Sequence, residues 1–154
     1  MLLALEKVVH PDEGRPAERD CAASAARLNI TVVFTSDKTT ASALQKAASL
    51  AGNLGARVAL VVPQVVPYPL PLEDPPVHLS WNEHRCTGLA DACEVETVVR
   101  IYLCRDRLEV LSSVLCPGSI VVVGCRKAWL PTSETRLARE LRRLGHDVIL
   151  TEAE

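Results

Sequence analysis

The segment that follows the apolar run SIVVVG has the clearest capacity for chemistry in this sequence. Gly124 ends the run, and Arg126, Lys127, Ser133 and Arg136 follow in a loop and at the start of a predicted helix. Cationic and hydroxyl side chains around a helix N-terminus, where backbone N–H groups are unpaired, suit a phosphate or another anion. Arginines are also common on solvated helices, so the pattern is compatible with an anion site and with an ordinary surface.

The cysteines and histidines form no recognisable metal motif. No two of the six cysteines are separated by two residues, which excludes a zinc knuckle and a thioredoxin-type pair. One cluster, Glu83, His84, Cys86 and Cys93, has no recognised ligand spacing, so we interpret it as core and surface residues and expect no metal. Other cysteines fall in strand or helix patterns, where a reduced cysteine serves as a small apolar residue: Cys104, Cys116 and Cys125.

Signatures of enzymes are missing as well. The sequence has no Gly-x-Ser-x-Gly nucleophile elbow, no Walker loop and no glycine-rich dinucleotide fingerprint. Cys125, beside Arg126 at the end of a strand, is a candidate for a thiol of low pKa, because a neighbouring cation favours the thiolate. The alternative, an unreactive cysteine buried in the sheet, is the one that we favour.

The elements that must position these residues alternate along the chain. Strands are predicted at 30–34, 58–62, 96–103, 119–124 and 147–151, separated by helices at 37–54, 79–92, 105–115 and 132–144. The first helix is expected to begin at Ser36 or Asp37 and to end at Gly55. Because the strands are continuously apolar, both of their faces must be buried. The pattern predicts an α/β fold, a doubly wound sandwich with helices on both faces of a parallel sheet.

Two segments stand outside this alternation. Residues 1–27 are predicted to form an N-terminal extension with a polar, helix-breaking middle (HPDEGRP) and ends compatible with helix, and residues 28–154 to form the α/β domain. Between residues 63 and 76 there are six prolines. Their missing N–H donors and fixed φ angles predict an extended, polyproline-like loop and exclude helix and central strand.

Composition favours one globular domain. Hydrophobic residues make up 48% of the chain, and a formal net charge of −2 gives no electrostatic reason to expect a nucleic-acid partner. The start, MLLALEKVVH, is interrupted at Glu6 and lacks the cleavage site of a signal peptide. No apolar stretch reaches the roughly 20 residues that cross a bilayer. We therefore expect a cytoplasmic protein without a membrane partner.

From residue 29 to residue 152 the chain resembles a universal stress protein, a UspA-like member of the adenine nucleotide alpha hydrolase-like superfamily. The resemblance rests on the first strand–helix–LGAR–strand unit, the variable middle loop, and the block from Ser119 through VVVGCRK to DVILTE. It implies a five-stranded parallel sheet in the order 3-2-1-4-5 and a regulatory role in the stress response.

Many members of that family bind ATP, and the resemblance indicates where to look for such a site. Their first strand usually ends in an aspartate near the adenine, where this chain has Thr35. Their fourth strand is followed by a glycine-rich phosphate loop that matches here only at Gly124, since Lys127 replaces the second glycine and Glu134-Thr135 stands where a Gly-Ser pair is expected. The ATP motif is therefore degenerate. Candidate residues for ATP or another adenine nucleotide, in the cleft between strands one and four, are Thr35, Ser36, Asp37, Gly124, Arg126, Lys127, Ser133, Thr135 and Arg136.

Two interpretations of this cleft remain open. In the first, ATP binding has been lost and the chain is a non-catalytic regulatory or interaction module. In the second, the chain is a nucleotide- or anion-binding stress sensor whose ligand lies at the start of the last helix.

The final strand is the predicted partner surface. Family members commonly pair through it, and here it carries Val148, Ile149 and Leu150, with no charge, proline or bulge to protect its exposed edge. The sequence therefore predicts a homodimer with one continuous sheet. The competing interpretation is that the N-terminal extension covers this edge and keeps the protein monomeric.

Overall fold

The structure is a computed structural model that describes residues 3–9, 28–93 and 95–154, the first of these ranges by its backbone alone. Its strands are β1 (Leu3–Val9), β2 (Asn29–Val33), β3 (Arg57–Val65), β4 (Thr97–Cys104), β5 (Ile120–Arg126) and β6 (Asp147–Ala153). Its helices are α1 (Asp37–Leu54), α2 (Leu79–Asp91), α3 (Arg107–Val114) and α4 (Ser133–Arg143).

The strands form one sheet in the order β1-β4-β3-β2-β5-β6. The pairs β4–β3, β3–β2, β2–β5 and β5–β6 are all parallel. Counted from β2 as the first strand, these five strands have the order 3-2-1-4-5, so the predicted parallel sheet and its α/β fold class are confirmed.

The unit β2–α1–β3 follows the local rules of its sequence. Ser36 caps α1: its side chain accepts a hydrogen bond from the backbone N–H of Thr39, whose side chain in turn accepts one from the backbone N–H of Ser36. Gly55 ends the helix in the left-handed conformation, with φ of 64°. Both predicted ends of this helix are therefore confirmed.

Each face of the sheet has its own apolar core. On one face α1 packs over β2, β3, β5 and β6, and α2 packs over β4, with Leu44, Leu60 and Val99 almost wholly buried. On the other face α3 packs over β3 and β4, and α4 packs over β5 and β6, around Leu111 and Leu141. Burial on both sides explains why the central strands are continuously apolar.

The N-terminal extension contributes a strand, which the sequence analysis did not foresee. β1 runs antiparallel to β4, from Leu3 opposite Leu103 to Val9 opposite Thr97. The expectation that this end of the extension is compatible with helix is therefore wrong. Without β1, the outer edge of β4 would present unpaired N–H and C=O groups, and a strand satisfies them better than a helix does. The HPDEGRP stretch, with His10, and Cys21 lie outside the described residues.

Residues 3–9 also bear on the competing interpretation for the last strand. They lie on the β4 edge of the sheet, and β6 is the strand at the opposite edge. This part of the extension therefore does not cover β6.

Pro63 lies within β3, so the expectation that the prolines of this segment exclude a central strand is wrong at this residue. The carbonyl of Val61 accepts the N–H of Phe34, so the backbone groups of Val61 face β2. Those of Pro63, two residues on, face the same way, but the β2 pairing has ended at Val33 opposite Val61. The missing N–H of Pro63 therefore breaks no hydrogen bond of the ladder.

The proline-rich loop is also more folded than predicted. The N–H of Leu70 donates to the carbonyl of Pro67 at 3.1 Å, and the N–H of Asp74 donates to Pro71 at 3.1 Å, so the loop contains two turns instead of an extended polyproline helix. Its apolar residue Leu72 is buried in a small cluster with Val66, which follows β3, and Leu103 of β4. The burial of this side chain favours a loop that turns back onto the sheet.

Candidate functional site

The predicted cleft lies where β2 and β5 end side by side. The two strands pair in parallel up to Val33 opposite Val123, so Thr35 and Gly124 follow at the same edge of the sheet. The crossovers from these strands leave in opposite directions, which is where doubly wound sheets place ligands. The topology therefore brings the strand-one and strand-four candidates together.

A hydroxyl network holds this junction closed. The side chain of Thr35 donates to the carbonyl of Gly124 at 3.1 Å, and its oxygen lies 2.6 Å from the hydroxyl of Thr39. The hydroxyl of Ser36 also lies 2.6 Å from that of Thr39, and the N–H of Thr35 donates to the side chain of Thr40 at 3.1 Å. The polar groups of Thr35 and Ser36 are thus committed to the junction of β2, α1 and β5.

Gly124 is required at this junction by space, since its φ is not positive. A Cβ atom built on Gly124 would lie 2.0 Å from the carbonyl oxygen of Thr39 and 2.5 Å from its carbonyl carbon. The first turn of α1 therefore lies directly on the end of β5. The resemblance predicts that Gly124 lets the backbone approach a phosphate. In the structure, what lies close to Gly124 is the protein's own backbone at Thr39.

At the start of α4 an internal carboxylate takes the position next to the helix N-terminus. Thr132 caps the helix, accepting the N–H of Thr135 at 3.3 Å. Partial burial opposes ionisation of Glu134, but hydrogen bonds from its own backbone N–H and from the hydroxyls of Thr132 and Ser133, together with the nearby charge of Arg107, outweigh it and lower its pKa. The helix start is therefore already occupied by an anion.

No contact among the described residues directs the basic candidate side chains toward one common point. Arg126, Lys127 and Arg136 are exposed, and within the described residues none of their side chains has a hydrogen bond or an ion pair. Arg126 ends β5, Lys127 follows it and Arg136 lies near the start of α4, but no contact among the described residues fixes the direction of their side chains.

Asp37 faces a partner that sequence reasoning missed. Its carboxylate forms an ion pair with Arg85 of α2, and the guanidinium carbon of Arg85 lies 4.8 Å from the ring centroid of Phe34 and 5.1 Å from that of Trp81. An arginine between two aromatic rings and a carboxylate is well stabilised. No local signal indicates this contact, because Arg85 is 48 residues from Asp37 in the chain.

The proposed low-pKa thiol at Cys125 is not supported. Cys125 is buried, and burial raises the pKa of its thiol, which the carboxylates of Glu152 and Glu134 raise further. The adjacent Arg126 points into solvent and does not compensate. Cys125 therefore behaves as an apolar residue of the sheet.

The remaining cysteines divide into two groups. Burial raises the pKa of Cys86 to about 11, and Cys93 and Cys104 are free thiols as well. Cys116, by contrast, is disulfide-bonded, so the expectation that it is reduced is wrong. Among the described residues, no group of three or more His, Cys, Asp or Glu side chains is placed to hold a metal ion.

A cavity of about 250 Å³ opens at the other end of the sheet, away from the predicted cleft. It lies at the amino ends of β2 and β5 and is lined by Thr31, Ala59, Arg100 and Tyr102, among others. Arg100 and Tyr102 already have interaction partners. We therefore assign no ligand to this cavity.

The fold has a known counterpart. A solved structure of a universal stress protein from Archaeoglobus fulgidus is similar to this chain, with a TM-score of 0.54 and 19% sequence identity, over 86% of this chain and 99% of that one. No protein-family model matches the sequence, and a comparison with curated proteins found no match. The chain therefore has a universal stress protein-like fold. No helix in the described ranges has the length and apolar character of a membrane span.

We expect the Gly124→Ala substitution to destabilise the protein by about 3 kcal/mol, because the new methyl group would collide with backbone atoms that cannot move alone. Urea unfolding followed by circular dichroism measures this loss. Gly88→Ala is the matched control: nothing lies within 4 Å of a Cβ at this helical position. It should raise the free energy of unfolding by about 0.5–1 kcal/mol. Equal stability of the two variants would contradict the close contact.

The lowered pKa of Glu134 predicts a pH-dependent contribution to stability. Because the carboxylate is favoured in the folded state, its contribution is present in full above the ordinary glutamate pKa of about 4.3 and is lost as the pH falls through the lower folded-state pKa. We expect Glu134→Gln to reduce the free energy of unfolding by about 0.5 kcal/mol at pH 7. The difference between variant and wild type should shrink as the pH falls below the ordinary glutamate pKa and through the lower folded-state pKa. A difference that is independent of pH would refute the anionic role.

Proposed function

We propose that this chain is a non-catalytic, universal stress protein-like regulatory or interaction module that lacks standard ATP binding. The observation that carries the proposal is the hydrogen bond from the side chain of Thr35 to the carbonyl of Gly124. In the family that the sequence resembles, an aspartate near the adenine usually ends the first strand. Here the corresponding residue is Thr35, whose hydroxyl donates a hydrogen bond to the carbonyl of Gly124 and contacts the hydroxyl of Thr39.

The phosphate end of the cleft supports the same proposal. The carboxylate of Glu134 accepts hydrogen bonds at the start of α4, where an incoming phosphate would need them. A triphosphate would have to displace this carboxylate or lie beside it, and two anions in contact repel each other unless a cation separates them.

Asp37, which carries the first carboxylate after Thr35 in the chain, also has a partner within the protein. Asp37 is paired with Arg85, whose guanidinium lies against Phe34 and Trp81. Adenine binding at this aromatic pair would require Arg85 to leave both rings and its ion pair. The side chains at both ends of the cleft thus have internal partners.

The alternative function is a nucleotide- or anion-binding sensor. It is favoured by Arg126, Lys127 and Arg136, which are exposed around the start of α4, near the hydroxyls of Ser133 and Thr135. Side chains that are not fixed in the free protein can converge on an anion when it arrives.

Thermal shift with ATP, ADP, AMP, cyclic nucleotides and inorganic phosphate, with and without magnesium, separates the two functions. A ligand at 100 times its dissociation constant stabilises a protein by about 2.7 kcal/mol. We expect no shift with any of these ligands, because the internal partners occupy the cleft. A magnesium-dependent shift with ATP that is lost in Lys127→Ala and kept in Arg143→Ala would instead establish the sensor.

We also propose a homodimer that forms through Val148, Ile149 and Leu150 of β6. The strand lies at the edge of the sheet, and of the residues that the structure describes none pairs with its outer side. Pairing with a second copy would satisfy that edge around a two-fold axis. A cytoplasmic location is proposed from the sequence alone; the disulfide at Cys116 weighs against it, because the cytoplasm keeps most thiols reduced.

Light scattering on the full-length chain tests the dimer. We expect a species of twice the chain mass that becomes a monomer in Leu150→Lys, because a lysine on an edge strand opposes strand pairing. Leu54→Lys, at an exposed position at the end of α1, is the matched control and should stay dimeric. A monomeric wild type at all accessible concentrations would refute the dimer.

A further inference from the structure

Two of the most exposed apolar side chains of the chain are adjacent in the loop between β5 and α4. Trp129 is 94% exposed and Leu130 is 78% exposed. Every residue from 126 to 131 is exposed, and among the described residues no side chain of this loop forms a hydrogen bond, an ion pair or a ring contact. Scattered exposed apolar residues are ordinary, whereas adjacent ones form a patch, and patches mark contacts with partners.

The loop is short and anchored at both ends. Cys125, which precedes it, is buried in β5, and Thr132, which follows it, caps α4. Pro131 has a fixed φ angle and no N–H of its own. The fold therefore presents Trp129 and Leu130 to the surroundings at one defined end of the sheet.

The charge next to this apolar pair is positive. From residue 126 to residue 136 the sequence has three cationic side chains and one carboxylate, that of Glu134. Glu134 already accepts hydrogen bonds at the start of α4, whereas Arg126 and Lys127 have no partner for their side chains in the described part of the chain. The whole chain carries a formal charge of −2, but exposed charges more than about 10 Å apart are largely screened at 0.1 M salt. The local charge therefore attracts an anionic surface to this loop.

We propose that residues 126–131 attach the protein to an anionic lipid bilayer, with Trp129 and Leu130 among the headgroups and Arg126 and Lys127 against lipid phosphates. Tryptophan favours this depth, because its ring is apolar while its N–H keeps a hydrogen-bond partner. Long cationic side chains can lie along an apolar surface while their charged ends reach the phosphates. The expectation that the chain has no membrane partner was drawn from the lack of a spanning segment, and attachment to a surface requires none.

The small size of the patch favours a bilayer over another protein. A specific protein interface buries about 800 Å² on each partner, and a tryptophan buries at most about 250 Å². Trp129 and one leucine therefore fall well short of such an interface. Attachment to a bilayer has no minimum area, because its strength scales with the apolar area buried and adds attraction to anionic lipids.

A second exposed ring at the same end of the sheet lacks this positive surrounding. Tyr68, in the loop after β3, is 80% exposed. Glu73 and Asp74 are exposed in the same loop, and they outnumber the one cation that contacts the ring, Arg105. Like charges repel, so an anionic surface favours the loop after β5 over the loop after β3. Tyr68 therefore supplies a matched control for Trp129.

Vesicles of phosphatidylcholine, with and without an equal part of phosphatidylglycerol, test the attachment of the full-length chain. Sedimentation of sucrose-loaded vesicles gives the partition coefficient. We expect binding to the neutral vesicles to be about 25-fold weaker than to the anionic ones, because each of the two cations contributes only where the lipid is anionic.

Variants assign the binding to the loop. Trp129→Ala should lower the partition coefficient on anionic vesicles about 10-fold, and Tyr68→Ala should leave it unchanged. Lys127→Ala should lower it about fivefold, whereas Lys46→Ala, at an exposed position of α1, removes the same charge without effect. Circular dichroism checks the fold of each variant.

Tryptophan fluorescence locates the contact. The chain has two tryptophans, so in Trp81→Phe the emission comes from Trp129 alone. We expect this emission to shift to shorter wavelength when anionic vesicles are added, and to be quenched by brominated lipid chains. In Trp129→Phe the emission of Trp81 should not shift.

Three results would overturn the proposal. The first is an absence of binding to anionic vesicles, which would favour a protein partner for the loop. The second is binding that Trp129→Ala leaves unchanged. The third is binding that inorganic phosphate releases at constant ionic strength while the emission of Trp129 stays unshifted, since the cations would then hold a soluble anion. None of these results bears on the proposed lack of ATP binding, which thermal shift tests separately.

Discussion

The contact between the first turn of α1 and the end of β5 constrains the rest of the molecule. Gly124 lets the carbonyl of Thr39 approach to a distance that no side chain would permit. Thr35 then reaches the carbonyl of Gly124, which lies beyond the last paired residue of β2 and would otherwise have no partner. Because the two halves of the doubly wound sheet meet between β2 and β5, this contact sets the position of α1 relative to both halves of the sheet.

Sequence reasoning succeeded where the determining interactions are local. The ends of α1 follow from Ser36 and Gly55, which act on the backbone within one turn of themselves. It failed where the partner is distant. β1 forms because the edge of β4 is open, Pro63 is tolerated because β2 ends early, and Arg85 meets Asp37 across 48 residues of chain. None of these facts can be read from the residues around the position concerned.

The candidate site shows the same limit. Its composition was visible in the sequence, since the hydroxyl, basic and glycine residues lie after or at the carboxyl ends of β2 and β5 and at the start of α4. The hydrogen bonds and ion pairs that each group forms were not visible in the sequence. Whether Glu134 is a carboxylate beside a phosphate or a substitute for one depends on the hydrogen bonds that it receives at the start of α4. An alignment of residue types cannot distinguish these two arrangements, although they imply opposite functions.

The distribution of unmet polar groups argues for a macromolecular partner over a small ligand. At the carboxyl edge, Thr35, Ser36, Asp37 and Glu134 are paired within the chain, so a ligand there must replace bonds that already exist, and the net gain is small. At the outer edge of β6 the backbone of Leu150 has no partner in the described residues. A second strand adds hydrogen bonds at that position and displaces only water, whereas a ligand in the cleft must also break bonds within the chain, so the larger gain in free energy is available to strand pairing.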